Sequence, residues 1–187
     1  SSLRNPRLPS GTSPEIYLRT TADIHARRAG VFANQGEINQ AIRAFGESAE
    51  LIRLVVEMPQ QRFQVQNAAS YINVQNALGD MYRKSKKLKQ ATELYSKAVE
   101  FGRDGLLRFD NDALIQGSMA DSLRSLGELE LEKDERLEAL FFFRQELILR
   151  ERLRKSQPIE SEWMIQLAEC HAKVAQCYNL KQANNRD

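Results

Sequence analysis

The chain has 187 residues, enough for one domain or one continuous stack of repeats that buries about 70% of its unfolded surface. Its 27 basic and 25 acidic side chains nearly cancel, so bulk charge steers neither nucleic acid nor an anionic membrane toward it. No apolar stretch approaches the roughly 20 residues that span a bilayer, and the first residues lack the hydrophobic segment of a secretion signal; the expectation is a cytoplasmic piece without membrane insertion.

The opening SSLRNPRLPSGTSP holds three of the five prolines together with Ser and Gly, a composition that cannot bury enough apolar surface to order itself, and residues 1–13 read as a flexible linker. From Ser13-Pro14-Glu15 onward the chain is rich in Ala, Leu, Glu, Gln, Arg and Lys. Ser can cap a helix there, Pro suits its first turn and Glu complements its positive end. No alternating Val/Ile/Thr run supports a sheet, and the fold class is all-α. Turn or breaker residues fall near Gly36, Pro59, Lys86, the Gly102 to Asp110 stretch, Asp134 and Pro158. They predict seven helices, near residues 14–35, 38–57, 60–85, 88–103, 111–133, 135–156 and 160–184, joined by short connections that set successive helices antiparallel.

Residues 78–98, LGDMYRKSKKLKQATELYSKA, hold a small-residue pair, Gly79 and Ala91, on either side of a charged turn. Ala29 and Ala41 stand at the same separation across NQGE, and Gly127 and Ala139 across EKDE. Larger residues match as well: Phe32 and Phe45 correspond to Tyr82 and Tyr95, and Phe143 takes the second aromatic place of the third copy. A fourth copy starts at Val174-Ala175 with Tyr178. Physically, the small residue lets two antiparallel helices approach near their turn, and the neighbouring aromatic fills the wider space above it. One such hairpin cannot hide its apolar face alone, so neighbours must stack.

This pattern of Leu-Gly, aromatic, Ala, aromatic and Ala resembles the tetratricopeptide repeat, which Leu78, Gly79, Tyr82, Ala91, Tyr95 and Ala98 match at all six places. The first copy keeps Ala29, Phe32, Ala41, Phe45 and the small Ser48. The third keeps Leu126, Gly127, Ala139 and Phe143 but has Glu130 in place of an aromatic and Glu146 in place of a small residue. The small anchors at 29, 79, 127 and 175 stand 50, 48 and 48 residues apart, whereas the ordinary repeat is shorter by about 14 to 16 residues, an excess that longer helices should hold. Leu147, Arg150, Glu151, Arg152, Leu153, Pro158 and Trp163 are similar to a long tetratricopeptide variant of large bacterial signalling proteins. The resemblance covers residues 14–187. It implies a right-handed solenoid of antiparallel hairpins, with repeats near 14–57, 60–103 and 111–156 and a terminal helix at 160–184.

Little in the chain points to chemistry. The two glycines of FGRDGLL, residues 101–107, have no preceding strand and read as a turn rather than a phosphate loop. Cys170 and Cys177 share a helix, about 10 Å apart, too far for a disulfide, and reduced thiols are expected. His25 and His171 lie on the first and last helices, so neither a metal site nor a catalytic Cys-His pair is expected, and no cofactor is implied. The basic run RKSKKLK lacks interleaved aromatics and reads as a solvated hairpin tip, not a nucleic-acid surface. Phe141-Phe142-Phe143 sweeps beyond one buried stripe, which makes Phe141 and Phe142 candidates for a hydrophobic interface.

The resemblance also implies a concave groove, lined by the first helix of each hairpin, that takes a protein or peptide partner. Its places fall on Asp23 and Ala26; on Asn73, Asn76, Asp80 and Arg83; on Asp121, Arg124 and Glu128; and on Glu169, Lys173 and Gln176. Asn73 and Asn76 can offer both donor and acceptor to a peptide backbone, and Arg124 can fork onto a carboxylate. Ala26 and Gly30 occupy the opening places of the family's Lys/Asn clamp for chaperone tails, so that specificity is not expected. The reading is a non-catalytic protein-interaction module of a larger bacterial signalling protein. The alternative is a self-assembly or autoinhibitory element, through an intramolecular domain or a homo-oligomer contact.

Overall fold

The computed structural model describes residues 13–59, 64–109, 112–156 and 161–183, and among them all regular structure is helical. The seven helices are α1 (Pro14–Asn34), α2 (Ile38–Glu57), α3 (Val65–Lys84), α4 (Leu88–Arg108), α5 (Ala113–Glu132), α6 (Arg136–Ser156) and α7 (Ser161–Ala183). The expected linker up to residue 12, the residues 60–63 that were to open α3, and Pro158 lie outside the described residues. Ser13 accepts the amide of Ile16 at 3.2 Å and caps α1, with Pro14 at its first position. Asp112 caps α5 through the amides of Leu114 and Ile115, at 2.9 and 3.1 Å.

The hairpin bends repeat in backbone as well as in sequence. Gly36, Lys86 and Asp134 have φ of 77°, 62° and 63° and are the left-handed residues at the three bends. At each, the amide of that residue bonds the carbonyl three before it, and the next amide reaches back five residues, to Phe32, Tyr82 and Glu130. A chain reversed in this way satisfies the last carbonyls of one helix and launches the next antiparallel to it.

The chain forms two compact units, Ser1–Leu94 and Tyr95–Asp187, with the boundary inside α4. In the first, Ala29, Ala41, Ala44, Phe45, Ala49, Leu78 and Met81 form one core cluster, with Phe32 and Tyr82 packed on its edge. Leu18, Ala22, Leu51, Ile52 and Val55 form another. Ser48, at the small position of α2, is buried and donates to the carbonyl of Ala22 at 2.8 Å, a contact only a small side chain permits between two helix backbones.

In the second unit, Ala139, Phe143 and Cys177 pack together, with Leu131, Leu140 and Val174 beside them. A methyl on Gly127 would lie 2.6 Å from the Phe143 ring, so this glycine is the recess that the ring fills. The turn expected over FGRDGLL does not form: α4 runs on to Arg108, and Gly102 and Gly105 are buried inside it. Their reason is close approach, because a Cβ would stand 3.0 Å from Met119 at Gly102 and 3.1 Å from Ile115 at Gly105, both on α5. The fourth anchor, Ala175, departs from the other three. It is exposed, as are Met164, Ile165 and Tyr178 on the same helix.

Candidate interaction groove

Helices α5 and α7 border a groove of about 440 Å³ lined by Arg124 and Glu128 from the first and Glu169, Ala172, Lys173 and Gln176 from the second. Arg124 and Glu128, like Glu169 and Lys173, stand four residues apart on their helices, and that spacing puts each pair on one face. Across the groove Lys173 bonds Glu128, and Arg124 lies 3.8 Å from Glu169. Opposite charges therefore alternate both along and across the opening. The lining carries two positive and two negative side chains, so the groove has a pattern of charge without a net field.

Behind it stands Arg150 of α6, only 1% exposed. Its guanidinium bonds Asp121 of α5 at 2.6 Å, Gln166 of α7 at 2.5 Å and Glu146 of its own helix at 3.4 Å. Asp121 accepts a second bond from Arg124 at 2.9 Å. One buried cation thus joins three helices and reaches the groove wall through Asp121. Burial pushes the Glu146 carboxyl above the usual carboxylate range, against the pull of Arg150 and Arg124.

Of the residues singled out in sequence, Arg124, Glu128, Glu169, Lys173 and Gln176 meet at this groove. Asp121, half-exposed beside the groove, bonds Arg124 and the buried Arg150. Asn73, Asn76, Asp80 and Arg83 lie on α3 in the first unit; Asn73 is exposed and the other three are half-buried. In the Phe triplet the three rings meet three environments: Phe141 is 58% exposed, Phe142 half-buried with its ring set edge-on against Phe141, and Phe143 fully buried. Sequence reasoning named Arg150 only as part of the family motif, without its buried ion pairs, and missed Gln166. The signal for Arg150 was there: a carboxylate at the small position 146 needs a buried partner, and an arginine stands one helical turn on.

The Cys170 thiol, 1% exposed, donates to the carbonyl of Phe143 at 3.4 Å. Burial, with the neighbouring Glu146 carboxylate, pushes its pKa up to about 12, so it stays protonated and a poor nucleophile at neutral pH. Cys177 is likewise free and buried, its pKa raised by burial. His25 lies 2.7 Å from Glu47, and His171 is exposed on α7. Among the described residues no group of three or more His, Cys, Asp or Glu could hold a metal ion, and no helix is long and apolar enough to cross a membrane. In comparisons with known proteins the chain matches no protein-family model and no curated protein sequence.

Proposed function

We propose that the chain is a non-catalytic protein-interaction module of the tetratricopeptide kind, working within a larger bacterial signalling protein in the cytoplasm. The observation that carries the reading is the α5–α7 groove, whose lining side chains are half-exposed ion pairs. Such pairs contribute about 0 to 1 kcal/mol each, so an arriving peptide can exchange them for its own charges at low cost. The neutral overall charge of the lining favours a partner chosen by pattern over one chosen by bulk charge.

The test is a peptide library probed by fluorescence polarisation against the chain and against Arg124→Glu and Lys173→Glu. Groove binding predicts that captured peptides weaken about tenfold or more with either reversal while helicity is unchanged. Peptides that bind all three proteins equally would remove the groove from the account.

A second reading, an assembly or autoinhibitory element, is favoured by the exposed Phe141 ring on α6. Light scattering over a wide concentration range separates self-association from docking onto a different domain.

A further inference from the structure

Aligned on Ala41, Ala91 and Ala139, the three second helices of the hairpins, α2, α4 and α6, can be compared place by place. Three outward places hold Asn39, Arg43 and Glu50 on α2 and Lys89, Glu93 and Glu100 on α4, all exposed. On α6 the same places hold Leu137, Phe141 and Ile148, which are 66%, 58% and 50% exposed. Packing of the repeat does not require apolar residues there, since two copies do without them. Large apolar side chains gathered on one exposed face mark an interaction surface.

The face continues with charge. Arg144, Arg152 and Lys155 fall at the helical spacing that places them on the line of Leu137, Phe141 and Ile148, and all three are exposed. Arg144 also bonds the Tyr178 hydroxyl and lies over its ring, which carries the surface to the edge of α7. Of the nearby acids of α6, Glu138 stands off this line and Glu151 stands one turn from Ile148 and Lys155, so the stripe sets three cations against one carboxylate.

We propose that this stripe of α6 is a second docking surface, distinct from the α5–α7 groove, and that its occupant is an acidic amphipathic helix of a protein partner. Leu137, Phe141 and Ile148 would receive apolar anchors spaced at helical intervals, and Arg144, Arg152 and Lys155 would meet the partner's carboxylates. Two copies of the stripe aligned in parallel would set like charges together, and aligned antiparallel they would lay Arg152 and Lys155 over Leu137 and Phe141, so neither pairing of α6 with itself supplies the carboxylates that the basic end calls for. An anionic membrane could also attract a basic and apolar helix face. The protein partner is preferred because the apolar part of the stripe is three side chains on a helix whose other face is committed to the core, too little to sink into a bilayer.

The probe is a synthetic amphipathic helix of about 20 residues with leucines at helical spacing and glutamates elsewhere, read by fluorescence anisotropy; its counterpart carries lysines in place of the glutamates. The variant Leu137→Lys, Phe141→Glu, Ile148→Glu installs the residues that α4 already carries at these places, so its fold should survive, and circular dichroism checks that it does. A second variant is Arg152→Glu with Lys155→Glu. The expected result is binding of the acidic helix and not of the basic one, weakened about tenfold or more by either variant. It should be untouched by Lys173→Glu, which keeps this surface distinguishable from the groove. Equal binding of both helices, no loss in either variant, or cosedimentation with phosphatidylserine vesicles in place of peptide binding would each overturn the proposal.

Discussion

At position 127 one hydrogen decides how α5 meets α6. A methyl there would sit 2.6 to 2.9 Å from three atoms of the Phe143 ring, which is itself fully buried and cannot swing away freely. Gly127→Ala should therefore destabilise the second unit by about 1 to 3 kcal/mol, seen as a lower urea midpoint. Gly36 serves a different purpose. Nothing lies within 4 Å of a Cβ placed on it, but its φ of 77° is costly for any residue with a side chain, and Gly36→Ala should cost about 1 kcal/mol through backbone strain alone. Glu146 carries a pH signature. Its folded pKa lies above the unfolded value near 4.5, so the folded chain holds this proton more tightly than the unfolded one. The stability it contributes is present in full below the unfolded value and is lost as pH rises through the folded one. Glu146→Gln should flatten that segment of the stability profile in urea titrations at a series of pH values above 4.5; an unchanged slope would mean that another group carries it.

Among the helices, α7 depends on α6 more than its own pattern suggests. Among its described side chains the buried ones are Cys170 and Cys177, and Gln166 ties it to the buried Arg150. Arg150→Met removes the bonds to Asp121, Gln166 and Glu146 together and leaves buried carboxylate without its countercharge, at a cost of about 3 kcal/mol. Hydrogen exchange should accelerate in α7 and at the Asp121 turn of α5 in that variant, with α1 and α2 unaffected. Helix ends were largely readable because Gly36, Lys86 and Asp134 all stand where the periodic apolar pattern breaks. The end of α4 was not. Gly102 and Gly105 look the same in sequence whether they break a helix or admit a neighbouring one, and only the position of Met119 and Ile115 tells the two apart.

At the scale of the whole molecule, two units with separate cores predict separable responses. Gly127→Ala should speed exchange within Tyr95–Asp187 and leave protection within Ser1–Leu94 near its original value, since repeat architectures carry strain only through near neighbours. A uniform loss across both would indicate one cooperative body. The all-α class, the hairpins and the small-to-large code were set by the order of residues alone, because helical periodicity and left-handed bends are local properties of the chain. Tertiary structure decided which charges face each other: that Asp121 pairs with Arg150 across two helices, that Arg124, Glu128, Glu169 and Lys173 alternate around one opening, and that Phe141 is left outside while Phe143 is sealed. Those outcomes depend on how three helices sharing no local sequence come to rest side by side, and spacing along a single helix does not encode that distance.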